Sequence, residues 1–425
     1  MTTGIPAPLA GADSDDHAAL ADAVAAQIAD LPHAPRLLGL GEPLHGEEEF
    51  GLLRNALFGA LVERAGFTTI ALESGAWHGR LVDGWINGAE GSEDDVLAAG
   101  FTHGFGAFPA NRLLIRWMRE QNRHRPATAR LRFAGFDAPT EMMSAPSPRS
   151  PLRVLHGFLR THLGGADLPS WDGLDRLLGA DEPWENEDAA MDPARSVGDE
   201  PRVRDLRATT DDLRRTLAGE VPRLRPEVTP DELEEALLAG RTAAGLLAYH
   251  RAMARRTDHP EQRWDRLAAL RDTMMAENLF AIAEHGPALV FGHNQHLRTG
   301  TTGLTLGPMT LRWQPVGAHL ADRYGRGYRV IACALGEAAH QGVPAPPPDT
   351  VEGALHRALP PGHHLLDAPA LPRASATRRS DNPAYVPLDD TLLDHVDQLL
   401  FLHTVGPRTP TPGSTPHPEP GGVLR

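Results

Sequence analysis

The stretch RLLGLGEPLHGEEEF, residues 36–50, concentrates the side chains most capable of chemistry. An apolar run ends at Gly41, and Glu42 and His45 follow before a helical pattern begins. Pro43 keeps that pair out of a common helix, so both belong to a strand-to-helix loop. An imidazole beside carboxylates is a general base at neutral pH, because its ordinary pKa of about 6.5 rises next to negative charge. Three more apolar runs end in chemistry. One stops at Glu73, one at Asp137 within GFDAP, and one at GHNQH, which carries His293 and His296. In an open parallel sheet ligands bind outside the carboxyl ends of the strands, so these runs would deliver all six side chains to one rim.

Arg54 joins them. It lies on or beside the apolar stripe of Phe50, Leu57 and Leu61, and a buried guanidinium needs a carboxylate. A bidentate pair with Glu42 or Glu73 is expected. A water held between His45 and a glutamate can attack an ester carbonyl, with His293, His296 or Arg54 stabilising the oxyanion. The H-x-x-H spacing at 293–296, taken with Glu42 and Glu73, also suits a His/Glu metal site, and the residues alone leave both readings open. Asp137 by itself fits a helix cap or an Asx turn equally well. The run Glu47–Glu48–Glu49 reads as a helix start favoured by the dipole, His363 and His364 as solvated, and Cys333 as inert core.

Composition narrows the field. In 425 residues, 41 basic against 56 acidic side chains give a formal charge of −15, which argues against nucleic acid or anionic membrane as a partner. No apolar run approaches the roughly 20 residues of a membrane span, and the acidic N-terminus lacks a secretory pattern, so a soluble cytoplasmic protein is expected. One cysteine excludes disulfides and multi-cysteine metal centres. The chain contains no lysine, which excludes Schiff-base chemistry, lysine-anchored pyridoxal phosphate and the P-loop lysine. No G-x-S-x-G elbow is present. Histidine, carboxylates and arginine remain as the chemists.

The elements that must position them follow an α/β plan. Strands are expected at 36–40, 68–72, 131–136, 288–291, 329–335 and 398–405, alternating with amphipathic helices such as 18–31, 50–64 and 111–122. That pattern predicts a largely parallel central sheet flanked by helices. Between 142 and 260 no strand is legible, only helical segments at 152–163, 203–217 and 232–254, which predicts an inserted helical subdomain. The α/β core then comprises 18–141 and 261–405. Residues 1–16 read as mobile, and the proline-rich tail 406–425 as disordered.

These blocks resemble the erythromycin esterase family. GEPLHGEEEFGLLRNALF is similar to its G-E-x-x-H-G segment and the arginine-bearing helix that follows. IALESGAWHGRLVDGWING, LRDTMMAENL, VFGHNQHLRT, GFDAP and Met309 with GAHLADRYGRGYRVIA resemble further blocks in the family's order. The resemblance implies His45 as the base that activates water, surrounded by Glu42, Glu73, Arg54, His293 and His296. It implies an α/β fold with a large cleft, no metal and no other cofactor, and hydrolysis of a bulky lactone such as a macrolide, as in antibiotic resistance. The expected partner is that small-molecule ester, with no nucleic acid and no membrane. FGAFPANRLLIRWMREQN departs from the family, with Phe108 and Asn111–Arg112 where a Trp and a Glu are common, and this bears on substrate identity. A biosynthetic cyclisation, elimination or acyl transfer on the same site is the alternative, and a His/Glu metal hydrolase a third.

Overall fold

Short runs of aliphatic residues buried on both faces make the central strands, as a parallel sheet covered by helices requires. In the computed structural model these are β2 (Leu37–Glu42), β3 (Thr69–Gly75), β5 (Ala288–His293), β8 (Tyr328–Glu337) and β10 (Gln398–Thr404). The structure describes residues 5–12, 16–140, 144–165, 167–306, 309–374, 376–380, 382 and 384–407. With β1 (Ala10–Ala12), β4 (Arg132–Asp137) and β9 (His363–Asp367), the sheet has the order β1-β9-β10-β8-β2-β5-β3-β4. The pairs β10–β8, β8–β2, β2–β5 and β5–β3 are parallel, whereas β9 and β1 add an antiparallel edge. The fold is therefore α/β with a mostly parallel sheet.

The chain divides into two compact units. The first comprises Met1–Phe136, Leu279–Thr301 and Pro315–Arg425. Around its sheet lie α1 (His17–Ala29), α2 (Glu48–Arg64), α3 (Ala76–Ile86), α4 (Glu93–Gly100) and α5 (Pro109–Arg123). Its core joins Leu20, Val24 and Ile28 of α1 to Phe50, Leu57 and Leu61 of α2 and to Leu38, Leu40, Ile70 and Leu72 of the sheet.

The second unit, Asp137–Asn278 with Thr302–Gln314, is helical apart from one hairpin among the described residues. It holds α6 (Arg149–Leu163), α7 (Trp171–Leu178), α8 (Asp188–Met191), α9 (Pro201–Leu224), α10 (Pro230–Met253) and α11 (Pro260–Ala283), which runs on into the first unit. The hairpin pairs β6 (Thr302–Leu306) with β7 (Met309–Trp313). This unit is wider than 142–260 because Trp264 and Leu267 of α11 and Leu311 of the hairpin pack with Leu246, Tyr249 and Met253 of α10. Thr229 and Glu232 start α10 with a reciprocal capping box, which satisfies two backbone donors at once.

Two expectations change at the sheet edge. Residues 10–12 form β1 against His363–Leu365 of β9, although 1–16 read as mobile. His363 and His364 are buried in β9, not solvated, because antiparallel pairing with β10 carries them inside. The strand was illegible because two histidines break its apolar run. Residues 408–425, most of the expected disordered tail, lie outside the described residues.

In the second unit His250 is buried, packs edge-on against Trp184 at 4.9 Å and meets the Pro146 carbonyl at 3.0 Å. Burial pushes its pKa down to about 4. The unfolded chain then binds a proton below about pH 6.5 that the folded chain refuses, so this contribution to stability is full above 6.5 and lost as pH falls towards 4. From pH 7 to 5 it should cost about 2 kcal/mol. In denaturant titrations at both pH values, His250→Gln should narrow the difference by that order. An unchanged difference would mean His250 titrates normally.

Candidate active site

β2 delivers Glu42 as its last residue, and the chain then turns through Pro43 to His45. Gly46 makes that turn possible, because its φ of 86° lies in the left-handed region that costs a side-chain-bearing residue energy. α2 begins immediately afterwards. His45 Nδ1 lies 2.7 Å from Glu42 Oε1, and its Nε2 lies 3.9 Å from Glu73 Oε1. The carboxylate of Glu42 can only accept, so Nδ1 carries the ring proton and Nε2 keeps its lone pair. Glu42 and Glu73 are buried, whereas the His45 side chain is 40% exposed, so solvent reaches the base but not its carboxylates.

Glu73 ends the expected strand 68–72 and is held from the neighbouring one. Its Oε2 accepts the His293 backbone N–H at 2.6 Å, and its Oε1 faces His296 Nε2 at 3.4 Å. The His293 ring sits 5.2 Å from that of His45. Its Nδ1 accepts the Gln295 N–H at 3.2 Å. Burial above all, with His45 beside it, lowers its pKa to about 3. His293 is therefore a neutral ring at neutral pH.

Asn294 locks this turn in place. Its side chain donates to the Cys333 carbonyl at 2.9 Å and accepts the Cys333 N–H at 3.3 Å, capping β8 where β2 has left the sheet. It crosses directly over Gly41, where a Cβ would fall 2.2 Å from Asn294 Oδ1. The glycine before Glu42 is thus a packing requirement.

Arg54 lies in the same cluster, but without the expected bidentate carboxylate. Its Nε and Nη2 both donate to Asn55 Oδ1, at 3.1 and 2.7 Å, and its guanidinium lies over the Phe291 ring at 4.9 Å. Glu42 and Glu48 act on it through space; burial lowers its pKa to about 10, so it stays cationic at neutral pH. The physical reason is that Asn55, next in the helix, supplies a neutral acceptor and leaves the glutamates to other partners. Burial raises the Glu42 pKa, with His45 and Arg54 pulling the other way.

An open cavity of about 430 Å³ is lined by Glu42, Gly46, Arg54, Glu73, Phe105, Phe108 and Asn111, among others. Phe105 stacks obliquely 5.5 Å from His45 and 5.7 Å from Phe108, giving the cavity an apolar wall. Of these two, only Phe108 was marked in the sequence; the alternation FGAF before Pro109 is the available signal for Phe105. Glu42, His45, Arg54, Glu73, His293 and His296 are brought together. Asp137 falls in the second unit, fully buried, where Arg271 donates to both its oxygens at 3.0 and 2.8 Å. The acidic run does open α2, and it is enclosed there: Glu47 and Glu49 are buried against histidines, and Glu48 accepts the Ala110 N–H.

Residues 62–405 match the erythromycin esterase family. The match begins after Glu42, His45 and Arg54, whose placement rests on the geometry above. Erythromycin esterase type I of Escherichia coli is 26% identical over 314 residues, covering 70% of this chain and 69% of that one. The type II enzyme of the same organism is 32% identical over 126 residues, 30% of this chain and 28% of its own. Among solved structures, a histidine-to-asparagine mutant of erythromycin esterase EreC in its open conformation aligns with a TM-score of 0.62 at 20% identity, over 90% of this chain and 93% of that one. A Bacillus cereus protein aligns at 0.65 and 17% identity, over 87% and 89%. At such identities these two structures show the fold alone, but with the sequence matches the chain is placed as an esterase of the erythromycin esterase family.

Proposed function

We propose that this chain hydrolyses a bulky carboxylic ester, of which a macrolactone is the best candidate, through a water activated by His45 and without a metal. The observation that carries the reading is the 2.7 Å contact from Glu42 to His45 Nδ1, which turns Nε2 towards Glu73 across 3.9 Å. That gap exceeds a hydrogen bond and suits a water bound by both groups. The macrolide expectation rests on the names of the relatives, and the Phe105–Phe108 wall offers an apolar surface suited to such a substrate.

The water gives a proton to His45 Nε2 as its oxygen bonds to the ester carbonyl carbon. The carbonyl electron pair moves to oxygen, and Arg54 or His296 stabilises the oxyanion. Collapse breaks the bond to the alkoxy oxygen, which leaves with the proton from His45. The products are an acid and an alcohol, joined in one open chain if the substrate was a lactone. Glu42 holds the imidazole in its tautomer and stabilises the transient imidazolium. Glu73, fixed by the His293 amide, orients the water. His293 itself serves as a neutral wall that keeps the His45 ring in place.

Three measurements test this proposal. His45→Asn should lower kcat by about 1000-fold or more while leaving Tm unchanged, and near-normal turnover would remove His45 as the base. The wild-type kcat/KM should fall about tenfold per pH unit on the acid side as Nε2 takes up a proton. A profile flat to about pH 4 would assign the base to a carboxylate. Mass spectrometry over a panel of macrolides and simpler esters should show products gaining one water. Unchanged or lowered mass would mean cyclisation or elimination.

A further inference from the structure

Three side chains from distant parts of the first unit meet at the edge of the sheet. His17 opens α1, Glu49 lies in the first turn of α2, and His363 begins β9. His17 Nε2 and His363 Nε2 reach the same oxygen, Glu49 Oε1, at 2.6 and 2.8 Å. The two rings lie parallel, 5° apart in plane, with centroids 5.8 Å apart. All three polar atoms fall within 4.8 Å of one another, and among the described residues they form the His/carboxylate group arranged to hold an ion. Glu49 and His363 are buried, whereas the His17 side chain is 16% exposed and leaves a path from solvent.

The geometry points to a binding site for a divalent late first-row transition ion of the zinc class, held by His17 Nε2, Glu49 Oε1 and His363 Nε2. Two imidazoles and one carboxylate are a ligand set that such ions favour over calcium or magnesium, and three protein ligands leave a fourth position for water. The protein atoms alone satisfy the cluster poorly. Both rings must donate Nε2–H to one oxygen, and His363 Nδ1 is then a buried acceptor with no hydrogen-bond partner among the described residues.

Ligand atoms around a tetrahedral ion with bonds near 2.0–2.1 Å stand about 3.3 Å apart, so each imidazole must withdraw by about half an ångström. His17, part-exposed at a helix start, can make that shift. Coordination moves each ring proton to Nδ1. For His363 that N–H gains no acceptor among the described residues, which weakens binding by roughly 10–100-fold against a fully supported site. The ion would tie α1, α2 and the antiparallel edge together, a structural role apart from the ester chemistry at His45.

The test uses the full chain, stripped with a chelator and titrated with Co²⁺ as the spectroscopic probe. One equivalent should bind and give the d–d absorption of a low-coordinate nitrogen/oxygen site. His17→Gln should abolish that equivalent, and His45→Asn should keep it. Zn²⁺ should raise the Tm of the wild type and not that of His17→Gln. Because His17 is part-exposed, its variant folds even if His363→Gln does not. Absence of Co²⁺ binding, binding unchanged in His17→Gln, or binding lost in His45→Asn would each overturn the assignment.

Discussion

The site depends on one hydrogen bond, from His45 Nδ1 to Glu42 Oε1. It joins the last residue of a central strand to the first exposed imidazole beyond it, across a proline that forbids a helix. Removing the proton from Nδ1 or the charge from Glu42 would let the ring rotate or change tautomer, and Nε2 would no longer face Glu73. Much of the surrounding structure maintains that bond. Gly46 turns the chain, Gly41 admits Asn294, and Asn294 fastens the His293 turn to β8. His293 then fills the space beside His45 as a neutral ring and lends its backbone N–H to Glu73.

A second constraint is the cost of charge in a dry interior. Glu42, Glu47, Glu49, Arg54 and Glu73 are all buried in the first unit, and each needs a partner. Histidines supply most of them, since an imidazole can donate to a carboxylate while remaining uncharged. Arg54 takes the other route and donates to an amide oxygen. Its positive charge is thus not cancelled by a paired carboxylate. It remains available at the cavity wall, where a developing oxyanion would meet it.

The parallel strands were legible because each is an unbroken aliphatic run ending in a polar residue, and that same punctuation marked Glu42, Glu73 and the His293–His296 turn. β1 and β9 were not legible, since three residues of Ala-Gly-Ala and a strand opening on two histidines carry no apolar signature. The Glu47–Glu49 run was legible as the start of α2, but its burial was not, because its partners, His340, His17 and His363, lie far away in sequence. The acceptor of Arg54 was missed for the opposite reason. It is the adjacent residue, Asn55, whereas the charge argument looked for a carboxylate. Asp137 follows an apolar run as Glu73 does, yet Arg271 from a helix read only as a motif takes both its oxygens. Strand ends predict where polar side chains emerge, but not what each one finds there.

The most direct measurement of the central claim is the protonation of the His45 ring itself. With imidazole ¹⁵N labels and His45→Asn used to assign the resonance, nitrogen NMR at neutral pH should show a protonated Nδ1 and an unprotonated Nε2 on His45. That tautomer should persist in the wild type and be lost in Glu42→Gln. A proton resident on Nε2 in the wild type would contradict the account, because the nitrogen facing Glu73 could then accept nothing from water.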